Sequence, residues 1–232
     1  MKIDLRTIKV FTQPGPKPKQ IVDERWSPNL AYAIGLLATD GCMSRYTHLI
    51  DLTSKDKEQL INFSKCLGLK LFIGEKFNGH GQKAFRVQFK NVIFYRFLLS
   101  VGLTPAKSKT LGVLKVHQKY FFDFLRGVFD GDGCTYSYWD KRWKSSFMYY
   151  LCFASASKLF VEWLQNEIYN RLGTKGHITT AGRFGTCYNL KYAKRDSLKI
   201  LRKMYNAKNP MYLKRKYLKI KKMLAIVGES ID

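Results

Sequence analysis

Two stretches of this chain are copies of one another. Residues 33–42 read Ala-Ile-Gly-Leu-Leu-Ala-Thr-Asp-Gly-Cys, and residues 125–134 read Leu-Arg-Gly-Val-Phe-Asp-Gly-Asp-Gly-Cys. Gly35 aligns with Gly127, Asp40 with Asp132, Gly41 with Gly133 and Cys42 with Cys134, all without a gap. The sequence after each copy also repeats. An aromatic-rich stretch of strand character leads to a helical pattern closing on Leu-Gly, over 60–69 and 161–173. Then come a glycine-rich turn, an alternating strand, a helix (about 91–101 and 195–206) and a Lys-rich segment, 106–111 and 213–218. Both halves must therefore fold alike, which constrains the chain more than any single motif does.

The order in each half is helix–strand–strand–helix–strand–strand–helix. In the first alternating strand, Phe85, Val87 and Phe89 alternate with Arg86 and Gln88; in the second, Tyr188, Leu190 and Tyr192 alternate with Asn189 and Lys191. Period-two alternation predicts sheets with one apolar face on helices and one polar, basic face toward a partner. The expected fold is α+β, with two pseudo-symmetric αββαββα repeats forming a saddle. Residues 1–27 read as a basic arm, 28–112 as the first half and 113–232 as the second. The insertion at 138–146 reads as a longer hairpin tip, and the last residues, GESID, are expected to fray.

The repeated motif carries its own puzzle. Glycine costs about 1 kcal/mol in a helix interior, and an acid at a helix C-terminus meets the negative end of the dipole. The first motif helix starts well, with Ser27 as N-cap and Pro28 at N1. Gly35 and Thr39 then share one helix face, as do Gly127 and Gly131. Small residues on these faces let two helix backbones approach closely. Packing the two helices together brings Asp40 and Asp132 to one point. Two carboxylates there repel each other unless a divalent cation lies between them.

The chain has 232 residues, 46% of them hydrophobic, enough for one large domain or two small ones. No apolar run reaches the roughly 18 residues of a membrane span. The N-terminus, MKIDLRTIKVFTQPG, lacks the apolar stretch of a secretory signal. Five scattered cysteines form neither a CxxC pair nor a zinc pattern, which suits a reducing, intracellular compartment. Forty-one Lys and Arg against 17 Asp and Glu give a net charge of +24, spread over the whole chain. Such self-repulsion points to a polyanionic partner, nucleic acid above all. A ribosomal protein or a membrane-surface binder has the same balance.

AIGLLATDG (33–41) and LRGVFDGDG (125–133) resemble the two motif copies of a single-chain LAGLIDADG homing endonuclease. The first copy departs at Ala38, where an acid is common, but keeps its glycine and terminal Asp-Gly. The resemblance implies a monomer with an internal pseudo-two-fold that cuts both strands of a long, pseudo-palindromic duplex DNA site. Asp40 and Asp132 match the metal-binding catalytic acids, and the carbonyls of Thr39 and Gly131 match further ligand positions. The implied cofactor is Mg²⁺, and Ca²⁺ or Mn²⁺ suits the same oxygen donors. The compartment is then the one holding the target DNA, a bacterial or archaeal cytoplasm or an organelle.

Members of the family often set a lysine near each scissile phosphate. Lys107 and Lys214 stand at matching places in the two Lys-rich segments, though plain backbone-contacting lysines fit as well. Ser54 and Ser157 are weaker candidates for holding hydration water. For DNA contacts, Arg86, Gln88, Asn189 and Lys191 suit base edges in the major groove. Behind them come Arg45, His48, Lys83, Tyr138, Lys141, Arg142 and Arg183. Each of these also suits a phosphate contact. Asp130 reads as a structural residue. The rivals are an RNA maturase binding intron RNA, a non-cleaving DNA-binding regulator and a basic ribonucleoprotein component, with a nickase as the variant in which one half lacks a supporting lysine or water contact.

Overall fold

The computed structural model describes residues 17–77, 79, 81–182 and 186–231. The first half runs α1 (Pro28–Thr39), β1 (Gly41–Met43), β2 (Leu49–Ser54), α2 (Lys57–Cys66), β3 (Ile73–Phe77), β4 (Lys83–Lys90) and α3 (Val92–Val101). The second runs α4 (Phe121–Asp132), β5 (Gly133–Trp139), β6 (Phe147–Ser155), α5 (Lys158–Leu172), β7 (His177–Ala181), β8 (Cys187–Ala193) and α6 (Lys194–Tyr205), followed by α7 (Lys214–Ala225). Each half holds a four-stranded antiparallel sheet, ordered β1-β2-β4-β3 and β5-β6-β8-β7. The α+β architecture of two like halves is as the repeat predicts.

Local chemistry sets the helix ends. Ser27 Oγ accepts the Leu30 N–H at 3.1 Å, with Pro28 opening α1. Asn91 Oδ1 accepts the Phe94 N–H at 2.8 Å to cap α3, which ends at Gly102 with φ 108°. There a left-handed residue closes the helix, and glycine carries no Cβ penalty.

Alternation then builds the cores. Ile50, Leu52 and Val87 of the first sheet are fully buried together with Leu60, Phe63, Phe94 and Leu98. Leu151, Phe153, Leu190 and Tyr192 do the same over Phe160, Val161, Leu201 and Met204. Helix α1 is buried at every position from Leu30 to Ala38. A helix hidden on all sides must pack on sheet and helix together.

Two details differ from expectation. The second Lys-rich segment does not mirror the first: residues Lys107–Lys109 form one 3-10 turn, whereas the second opens the 12-residue α7. The C-terminal residues are also held, with Glu229 paired to Arg202 at 2.8 Å and Ile231 buried. Of the expected arm, residues 1–16 lie outside the described residues; Lys19 is fixed by Asn91 Nδ2, which donates to its carbonyl at 2.8 Å.

Candidate active site

The motif helices α1 and α4 meet backbone to backbone. A Cβ on Gly35 would stand 2.2 Å from the Phe124 carbonyl oxygen and 2.9 Å from Gly127 Cα. A Cβ on Gly127 would stand 2.2 Å from the Tyr32 carbonyl oxygen, and one on Gly131 would stand 1.9 Å from Thr39 Oγ1. Only glycine fits any of the three places, because the opposing atoms belong to the other helix. The seam delivers Asp40, the C-cap of α1, and Asp132, the last residue of α4, to the same place.

Burial pushes the Asp40 carboxyl up to about 6, and the charge of Asp132 pushes the same way; the Gln59 amide, Lys216 and Lys107 oppose both. Asp132 is also raised by burial, against Lys216 and Lys107. The ionised pair is thus held at a cost and draws in positive charge.

Two buried lysines flank the acids. Lys107 Nζ donates to the carbonyls of Gly41 at 2.6 Å and Thr39 at 3.5 Å. Lys216 Nζ donates to the carbonyls of Phe129, Gly131 and Gly133 at 2.7, 2.8 and 2.7 Å. Each lysine closes the negative end of one motif helix, where cations are favoured, and burial lowers the pKa of both. Lys214 is therefore not the partner of Lys107. It is exposed at the start of α7, and its backbone N–H donates to Glu58 Oε2 at 3.2 Å. Lys216 takes the place because Lys216, Ile220 and Met223 share the buried face of α7. That spacing is visible in the sequence, but the two Lys-rich segments are not equivalent from their first residues.

Asp130 is structural, as its place in the helix suggests. Its Oδ2 accepts the Tyr32 hydroxyl and the Leu213 N–H, each at 2.7 Å. It thereby ties α4 to the start of the helix that carries Lys216. Ser157 is also structural: it caps α5 and donates to the Leu111 carbonyl at 2.5 Å. The counterpart of Ser54 is Ser155, since Ser54 Oγ accepts the Asp56 N–H and Ser155 Oγ accepts the Ser157 N–H, both at 3.1 Å.

The donors present suit a hard divalent cation. They are carboxylate and carbonyl oxygens, and burial raises the pKa of both carboxyl groups. The carbonyls of Thr39 and Gly131 are already met by lysine ammonium groups, which leaves each a second lone pair. Among the described residues no group of three or more His, Cys, Asp or Glu side chains stands together. An ion at Asp40 and Asp132 needs substrate oxygens or water to complete its shell.

The faces of the sheets turned from the helices sort the remaining residues. Arg86 and Gln88 lie on that face of β4, where Gln88 Nε2 donates to Asp51 Oδ2 at 2.7 Å across the strand pair. Asn189 and Lys191 lie on that face of β8, and Cys152 Sγ is 3.6 Å from Asn189 Oδ1. Tyr138 stacks on Tyr150 at 6.2 Å, and Tyr150 on Tyr136 at 4.8 Å. This face of the second sheet is more aromatic than basic. Arg45 is exposed in the β1–β2 turn, while the His48 ring packs edge-on against Tyr95 at 5.1 Å. Lys141 and Arg142 are exposed in the β5–β6 loop, with Arg142 paired to Asp140 at 3.3 Å. Lys83 corrects the expectation: alternation with Phe85 and Val87 puts it on the helix side, where it pairs with Glu75. Arg183 lies outside the described residues.

Comparison with solved structures decides the architecture. The homing endonuclease I-WcaI bound to its DNA recognition sequence superposes with a TM-score of 0.59 at 16% identity, over 90% of this chain and 95% of that one. The fold is the LAGLIDADG fold. I-DmoI in complex with DNA and Ca shares it, with a TM-score of 0.54 at 16% identity over 83% of this chain and 97% of that one. Variants of I-DmoI have been solved with target DNA in the presence of Mg or Mn. The N-terminal LAGLIDADG domain of DUF199/WhiA also matches, with a TM-score of 0.52 at 14% identity over 77% of this chain and 82% of that one. No protein-family model matches the sequence, nor does any curated protein. Identities this low establish the LAGLIDADG fold alone, and what the chain does must be argued from its site.

Proposed function

We propose that this chain is a single-chain, metal-dependent DNA endonuclease that cuts both strands of a long, pseudo-palindromic site. The observation that carries the reading is the pairing of Asp40 and Asp132 at the ends of two backbone-packed helices, each helix end closed by a buried lysine. A fold has no need of two like-charged carboxylates brought to one point, since their interaction and partial desolvation cost stability. A nuclease needs them to hold Mg²⁺, for which Ca²⁺ or Mn²⁺ can stand in. When bound, the ion lowers the pKa of water and stabilises the leaving 3′ oxygen.

The chain's own groups do the rest. Asp40 and Asp132 hold the cation, aided by the carbonyls of Thr39 and Gly131. Lys107 and Lys216 put positive charge beside the reacting phosphates. Arg86, Gln88, Asn189 and Lys191 are proposed to read base edges. Arg45, His48, Tyr138, Lys141, Arg142 and Arg183 supply further contacts. The net charge of +24 draws the duplex in, with affinity falling steeply as salt rises. I-WcaI and I-DmoI, solved with DNA, support duplex DNA as the partner. The internal repeat supports a monomer. No described helix is long and apolar enough to cross a membrane, and the proposed location is the compartment holding the target DNA.

The second reading keeps the fold and drops cleavage: a DNA-binding regulator, or an RNA maturase with intron RNA as partner. The likeness to the N-terminal LAGLIDADG domain of DUF199/WhiA favours this reading. Incubation with a randomised duplex library in Mg²⁺ or in EDTA, followed by sequencing of new ends, separates the two. Metal-dependent ends at one long motif support the endonuclease. Tight binding without new ends supports the regulator or maturase.

A further inference from the structure

The second half carries a pair of thiols that the first does not. Cys134 on β5 and Cys152 on β6 are direct partners in the antiparallel register, and their side chains interact. Such partners have Cα atoms about 4.5–5.5 Å apart, inside the range of about 4.4–6.8 Å that a disulfide accepts. Cys134 is exposed and Cys152 is buried, so one sulfur meets solvent while the other lies behind it. In the first half the matching Cys42 stands opposite Asp51, a carboxylate that accepts the Gln88 amide. The motif cysteine is repeated, but the thiol across from it is not.

The pair lies on the sheet face turned from the helices. Direct cross-strand partners share a face, and Cys152 Sγ is 3.6 Å from Asn189 Oδ1. Cys152 is also the register partner of Lys191 on β8. Asn189 and Lys191 are two of the residues proposed to read base edges, so nucleic acid lying there covers Cys134.

We propose that Cys134 and Cys152 are an oxidation site, closing under peroxide into a reversible cross-strand disulfide in the free protein and shielded when duplex DNA is bound. Only the shielding rests on the nucleic-acid reading. The exposed Cys134 sulfur attacks one peroxide oxygen, the O–O bond breaks, and Cys134 sulfenic acid and one water result. Cys152 sulfur then attacks the sulfenic sulfur, the S–S bond forms, and a second water leaves. Two thiols lose two electrons and two protons in total, and peroxide takes them up. A reducing compartment returns the pair to thiols, so the bond reports an oxidant rather than stapling the fold.

The test uses the full chain in EDTA with a small excess of hydrogen peroxide. Wild type is expected to lose two of its five thiols, to give a Cys134–Cys152 peptide on mass mapping, and to recover both thiols in dithiothreitol. Cys152→Ser should stop at the Cys134 sulfenic acid, trapped with dimedone. Cys134→Ser should form no disulfide; it changes an exposed side chain and serves if Cys152→Ser does not fold. No thiol loss in wild type, a bond joining Cys42, Cys66 or Cys187, or a bond between two copies overturns the proposal. A mixed-sequence duplex at low salt, its binding followed by fluorescence anisotropy, should slow closure several-fold. Unchanged closure with duplex bound overturns the shielding and the face assigned to nucleic acid. If no duplex binds, the nucleic-acid reading fails separately and the peptide map alone judges the pair.

Discussion

Gly35 and Gly127 stand face to face across the seam between α1 and α4, where a Cβ on Gly127 would lie 3.0 Å from Gly35 Cα and 2.2 Å from the Tyr32 carbonyl. Alanine at either place gains about 1 kcal/mol of helix propensity. It also forces two backbones apart, and overpacking of this kind costs about 1–3 kcal/mol or more. The clash should win, because backbone cannot rotate away as a side chain can. Gly35→Ala or Gly127→Ala should lower stability by roughly 2 kcal/mol in urea denaturation. Neutral or stabilised variants would mean that the helices are not in backbone contact.

Asp40 should destabilise the metal-free protein at neutral pH. Its carboxyl is raised to about 6 when folded, against an unfolded value of about 3.9. A raised acid costs nothing below the unfolded value, where it is protonated in both states. The cost grows as pH rises and is complete above about 6. Asp40→Asn should therefore be more stable than wild type at pH 7, by at most about 3 kcal/mol. The advantage should vanish near pH 4. Denaturation of both proteins at the two pH values checks the sign, and a variant less stable at pH 7 speaks against the repulsion.

Lys216 and Lys214 are two residues apart and should behave differently. Lys216→Met strips charge-assisted bonds from the three carbonyls of Phe129, Gly131 and Gly133. Such bonds are worth about 1.5–3 kcal/mol each at most, and they are not additive. The variant should lose roughly 2–4 kcal/mol and all strand cleavage. The exposed Lys214→Met should stay within about 0.5 kcal/mol. Melting curves of both variants decide which lysine belongs to the site.

Base contacts and phosphate contacts should separate by specificity. Gln88→Ala removes a strand-face amide already aimed by Asp51 at 2.7 Å. Loss of a base contact costs about 1–3 kcal/mol at one base pair and relaxes the preference there. Loss of a phosphate contact weakens binding to every sequence alike and lowers the salt slope by about one. Binding of the variant to single-base variants of the site at two salt concentrations distinguishes them.

The fold was legible because the repeat and its alternation state it twice. Val87 and Leu190 each centre an apolar strand face, and both are fully buried. The seam was legible too, since glycines at helical spacing have few other uses. The failures were of register. Lys83 sits two residues before Phe85, so strict alternation already placed it on the helix side. Lys216 was concealed because one Lys-rich segment forms a turn and the other a helix, so equal positions in sequence are not equal in space. Gln59 left a faint trace, as a polar residue beside Leu60 on the buried face of α2. Nothing in sequence shows that it reaches Asp40, because that contact depends on how α2 packs on the motif helix.

Asp40 and Asp132 are proposed to make one cutting centre together. The direct measurement treats plasmid carrying a randomised cassette with wild type and with the Asp40→Asn/Asp132→Asn double variant, side by side in Mg²⁺, and scores both linear product and retained binding. Linear product at one long motif is expected from wild type and none from the variant, with binding by both. Cleavage that survives in the variant, or wild-type binding with no cleavage at all, would contradict it.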